Sequence, residues 1–91
     1  MVIEFDRPGF SKTFSRLLDK HGVSCYAISQ YSDLDQAYLS RLRSGKKECP
    51  SIEVILKIAF AVSNLSEKIV SLNEIEDLFN SANRTFFHLN R

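Results

Sequence analysis

Residues 22–62 read GVSCYAISQYSDLDQAYLSRLRSGKKECPSIEVILKIAFAV, and this stretch decides the fold. Ser24 offers a hydroxyl that can cap a helix, and Ala27, Ile28 and Tyr31 follow at the spacing of one inward helical face. Ser32-Asp33-Leu34-Asp35 reads as a turn, with Asp35 able to cap the next helix. That helix is expected over residues 36–43, with Leu39 and Leu42 inward and Gln36, Ala37, Ser40 and Arg41 outward. Ser44-Gly45 stops it, and residues 46–50 form a loop opening on Lys46 and Lys47. From Ser51 onward Ile52, Ile55, Leu56, Ile58, Ala59 and Val62 make the chain apolar over much of a helix girth. Such a segment is expected to be the central core helix.

Working outward, residues 11–21 form a further helix. Phe10, Phe14, Leu17 and Leu18 recur every three or four residues, and Gly22 supplies a left-handed exit. A fifth helix is expected over residues 72–81, with Leu72, Ile75, Leu78 and Phe79 inward. Its early acidic residues, Glu74, Glu76 and Asp77, suit the positive end of a helix dipole. Residues 2–6 and 85–89 are rich in β-branched or aromatic side chains and resemble short strands. The organisation expected is an N-terminal arm (1–9), one helical domain (10–83) and a C-terminal tail (84–91).

Composition bounds the function. Hydrophobic residues at 44% and charged residues at 25% suit a globular domain and argue against disorder. No apolar run approaches the roughly 20 residues of a membrane span, and the N-terminus does not read as a secretory signal, so a cytoplasmic location is expected. Cys25 and Cys49 have neither metal-ligand spacing nor a disulfide framework and read as small hydrophobes. His21 and His88 stand alone and are expected at the surface. Tyr31 reads as a core residue. No nucleophile arrangement, Gly-rich phosphate loop or metal motif occurs, so neither catalysis nor a cofactor is expected. The net charge is only +1. Between Phe10 and Pro50, however, the cations outnumber Asp19, Asp33, Asp35 and Glu48, and four of them fall at Arg41, Arg43, Lys46 and Lys47.

Two short helices, a tight turn and a basic loop fit duplex DNA. A helix is narrow enough for the major groove, provided that a preceding helix braces it. Glutamine can hold an adenine edge with two hydrogen bonds, arginine a guanine edge, and alanine can touch a thymine methyl.

From about Phe14 to Val62 the chain resembles the Cro/C1-type (XRE, lambda-repressor-like) helix-turn-helix domain. The segment LSRLRSGKKECPSIEVILKIA (39–59) carries the resemblance most strongly. It ends a recognition helix in a Gly-basic loop, then continues through Pro-Ser into an apolar fourth helix. LNEIEDLFNSAN (72–83) is similar to the fifth helix of some bacterial members. The resemblance implies an all-α, five-helix lambda-repressor-like fold with short extended termini, sequence-specific operator DNA and frequent dimers. Carried over by position, it implies base contacts from Gln36, Ala37, Ser40 and Arg41. Phosphate contacts would come from Cys25, Tyr38, Arg43, Lys46 and Lys47. Some positions depart from the family pattern. Ser29 replaces a small alanine, Asp33 a turn glycine and Arg43 a common glutamate, while Asp35 places a negative charge at the mouth of the groove.

The function expected is a dimeric transcriptional regulator of double-stranded DNA, its homodimer contact made by Phe79, Phe86, Phe87 and Leu89. The sequence shows no separate ligand-sensing domain, so control is expected from concentration, a protein partner or competition at the site. The alternative is an antitoxin-like or adaptor protein-interaction module on the same frame.

Overall fold

The computed structural model describes residues 9–46 and 50–82. Among these residues there are five helices and no strand: α1 (Phe10–His21), α2 (Cys25–Tyr31), α3 (Gln36–Ser44), α4 (Ile52–Leu65) and α5 (Leu72–Ser81). The strand-like ends at 2–6 and 85–89 lie outside the described residues.

Each helix ends where local chemistry requires it. α1 begins at Phe10, one residue before the expected start, because Gly9 is extended and Phe10 already belongs to the inward stripe. It closes at Gly22, whose φ of 64° is left-handed, and the Val23 N–H reaches back to the Leu18 carbonyl at 3.0 Å. The Ser24 hydroxyl accepts from the Ala27 N–H at 3.1 Å and starts α2. Ser32 then ends α2. Its hydroxyl donates to the Ile28 carbonyl at 2.8 Å and accepts from the Leu34 N–H at 3.2 Å, which draws Leu34 against the core. The Asp35 carboxylate accepts from the Tyr38 N–H at 3.0 Å and opens α3. Gly45, at φ 90°, closes it. In α5, Ser71 and Glu74 form a reciprocal capping box, and Val70 and Ile75 pack against the core on either side of the cap.

The core is built from all five helices. Phe14, Leu18, Ile28, Leu39, Leu42, Ile55, Ile58, Val62, Leu78 and Phe79 are its largest enclosed side chains. α1 packs on α3 and α5, α2 on α3 and α4, and α4 on α5. α3 is therefore carried on α1 and α2, and the fully buried Ile28, Leu39 and Leu42 fix its rotation. Truncating any of these three to alanine leaves a cavity that costs about 2–5 kcal/mol.

Several side chains stand elsewhere than their sequence pattern suggests. His21 is buried, because it continues the Phe14, Leu17, Leu18 stripe by three and four residues. Its ring joins three elements: Nδ1 lies 2.8 Å from the Ser66 hydroxyl after α4, and Nε2 lies 3.0 Å from the Glu74 carboxylate of α5. The same carboxylate holds the Lys20 ammonium at 3.1 Å. Partial burial pushes Glu74 up, but the Ser71 N–H, the His21 ring and Lys20 outweigh it and bring the carboxyl to about 2. Tyr31 is half exposed, because it closes α2 beyond the residue that reaches the core, Ile28. Leu72 is exposed at the first turn of α5. α4 is not enclosed all round: Ile52, Leu56 and Phe60 face solvent. Phe79 is enclosed in the chain's own core, 2% exposed, and offers no surface to a second copy.

Candidate nucleic-acid interface

α3 separates its residues by face. Leu39 and Leu42 are fully buried, and Gln36, Ala37, Ser40 and Arg41 are exposed. These four occupy positions i, i+1, i+4 and i+5 of one helix, so they share a face. From Gln36 to Arg41 the axis rises roughly 7.5 Å, or about two base-pair steps at roughly 3.4 Å each. The exposed row thus matches a short run of base edges. All four residues expected to touch bases are brought together by the fold.

The phosphate candidates divide. Lys46 is exposed directly after the Gly45 turn, and its N–H bonds the Arg41 carbonyl at 2.9 Å, which fixes the loop to the end of α3. Lys47 lies outside the described residues. Tyr38 is half-buried and packs against the core. Arg43 turns toward α1, where its Nη2 donates to the Asp19 carboxylate at 2.6 Å. It also stands beside Cys25. Burial pushes the Cys25 thiol up, and the Arg43 guanidinium pulls against that shift. Cys25 is half-buried at the start of α2 and packs against the core. Arg43 therefore ties α3 to α1. Sequence reasoning missed this role, because its partner Asp19 lies 24 residues away. The cue was the opposite charge on α1 at the end of the inward stripe.

The two acids that oppose DNA are both engaged. Asp35 caps the first turn of α3. Asp33 takes the Lys57 ammonium of α4 at 2.9 Å, and that hydrogen bond, with the Lys57 charge, lowers its carboxyl below the ordinary value. In return the Lys57 ammonium is raised, first by the hydrogen bond it donates to Asp33. This pair ties the turn between α2 and α3 to α4. It fills structurally a position where the family pattern has glycine.

Among the described residues no group of histidine, cysteine or acidic side chains could hold a metal ion, and no helix is long and apolar enough to cross a membrane. Phe86, Phe87 and Leu89 lie outside the described residues.

Residues 13–63, over half of the chain, match the family model for the Cro/C1-type HTH DNA-binding domain. No curated protein and no solved structure gives a match. The matched span runs from α1 to the last turns of α4 and contains every candidate DNA-contacting residue.

Proposed function

The chain belongs to the Cro/C1-type HTH DNA-binding family, and we propose that it is a sequence-specific transcriptional regulator that reads the major groove with α3. The observation that carries this reading is the division of α3. Its inward leucines are fully enclosed, while Gln36, Ala37, Ser40 and Arg41 stand together on the exposed face. Gln36 and Arg41 supply bidentate base recognition, Ala37 suits a thymine methyl, and Ser40 bonds either partner. Lys46 and Lys47 approach phosphate and set register. Arg43 serves the interface indirectly, by holding α3 against α1 through Asp19.

The active form is a homodimer. One α3 touches few base pairs, and two copies bound to half-sites one helical turn apart double the contacts. The test is selection of bound sites from a pool of random duplexes with the full chain. The expected product is a palindrome whose half-sites lie about 10 base pairs apart, centre to centre. Recovery of unenriched sequence would overturn the reading in favour of a protein-interaction module.

A further inference from the structure

α1 and α5 pack side by side, and a groove of about 190 Å³ lies between them. Thr13, Arg16, Leu17 and Lys20 form one wall, at the i, i+3, i+4, i+7 spacing of a single helix face. Glu74 and Asp77, three residues apart on α5, form the other. The cations thus stand on α1 and the carboxylates on α5. Leu17 is buried and gives the groove an apolar floor.

The charged residues are two rungs of one ladder. The Lys20 ammonium and the Glu74 carboxylate meet at 3.1 Å and close the first rung. One turn along each helix stand Arg16 and Asp77. Both are exposed, and among the described residues neither makes an ion pair or a side-chain hydrogen bond. The second rung is therefore open. The half-buried Thr13 hydroxyl, on the same wall, also has no hydrogen-bond partner among the described residues. A guanidinium, a carboxylate and a hydroxyl line one small space, each free to bond a ligand.

Size and charge narrow what that ligand is. The groove holds the volume of about six waters at roughly 30 Å³ each, below the roughly 300–1,000 Å³ of a pocket for a drug-sized molecule. It suits a molecule of amino-acid size. A simple anion would meet Arg16 and be repelled by Asp77 and Glu74, and a simple cation would meet the reverse. A zwitterion satisfies both walls. Asp19, which ties α1 to α3, is not among the lining residues, and neither is any residue of α3. Filling the groove leaves the exposed face of α3 free.

We propose that the α1–α5 groove binds a small zwitterion of the amino-acid type. Its carboxylate lies on the Arg16 guanidinium, its ammonium on the Asp77 carboxylate and its carbon chain over Leu17, with the Thr13 hydroxyl as a further hydrogen-bond partner. The ligand closes the open rung between the two helices. The site does not depend on the DNA-binding reading and is tested apart from it.

Amide chemical-shift titration of the full chain is the test. The zwitterionic probes are free glycine, β-alanine and γ-aminobutyrate, which hold the same two charges progressively further apart. Acetate and methylammonium carry one charge each. At least one zwitterion should give saturable shifts at millimolar concentration, the scale set by the weakness of single exposed ion pairs. The shifts should centre on residues 13–20 and 74–77, and that zwitterion should bind roughly tenfold or more tightly than either single-charge probe. Arg16→Gln and Asp77→Asn should each weaken it roughly tenfold with circular dichroism unchanged, since both side chains are exposed. Lys12→Gln, exposed on α1 outside the groove, should leave the binding as it is. No saturable shift with any of the three zwitterions would overturn the site. Acetate that binds as tightly as the best zwitterion, or binding that survives intact in Asp77→Asn, would overturn it as well.

Discussion

Replacing His21 by alanine should destabilise the fold severely, although the residue lies away from the exposed face of α3. The side chain is fully enclosed, and both ring nitrogens are engaged. The substitution removes the bond with the Ser66 hydroxyl, worth about 0.5–1.5 kcal/mol, and the bond to the Glu74 carboxylate, worth about 1.5–3 kcal/mol. Together these give a loss of about 2–4.5 kcal/mol before any cavity cost. A chain of 91 residues has a total stability of about 5–13 kcal/mol, so the substitution removes a large fraction of it. At about 4–8 °C per kcal/mol for a domain of this size, the melting temperature should fall by roughly 8–36 °C. Urea titration and thermal melting, both followed by far-ultraviolet circular dichroism, measure the effect. His21→Gln, which keeps one donor and one acceptor, should recover part of it. A loss below about 1 kcal/mol in His21→Ala would refute the assignment of this ring as the latch between α1, α5 and the end of α4.

Other outcomes follow from the same contacts. Glu74 is held at about 2 in the fold, below its ordinary value of 4.5. A lowered carboxyl stabilises above its unfolded value and loses that contribution as pH falls through the folded one. Stability should therefore drop between about pH 5 and pH 2, and Glu74→Gln should flatten that limb of a denaturation series. Gln36→Ala and Arg41→Ala should each weaken selected DNA by about 1–3 kcal/mol with scrambled DNA little changed. Equal loss on both DNAs would assign them to phosphate. Lys46→Ala should lower the slope of log affinity against log salt by about 0.9, and an unchanged slope would remove that residue from the interface. Asp35→Ala should cost about 1 kcal/mol of stability through the lost cap of α3, seen in the urea midpoint.

The helices were legible because their signals are local. Gly22 takes the left-handed exit that its position predicts, Gly45 ends α3 as expected, and Ser24 and Asp35 cap as expected; Ser51 and Ser71 cap α4 and α5 as well. The outward face of α3 was legible because Leu39 and Leu42 fix its rotation. What a neighbour covers was less legible. An apolar girth does not say which part of a helix is packed, and α4 leaves Ile52, Leu56 and Phe60 open. Phe79 has the same chemistry as a surface aromatic, and only the packing of α5 on α1 and α4 encloses it. The partners of Arg43 and Asp33 each lie 24 residues away and answer to no local pattern. His21 could have been found, since it stands three and four residues beyond Leu18 and Leu17. The rarity of buried histidine concealed it.

If α3 enters the major groove as proposed, Arg41 lies on a guanine edge. Dimethyl sulfate protection tests it directly, because the reagent methylates guanine N7 in that groove, the acceptor a bidentate arginine uses. On the selected site, the wild-type chain should protect at least one guanine in each half-site. Arg41→Ala, bound to saturation, should expose that guanine and leave the phosphate footprint unchanged. Guanines that react freely under the wild-type chain would place α3 outside the groove, and protection that survives in Arg41→Ala would take Arg41 off the guanine edge.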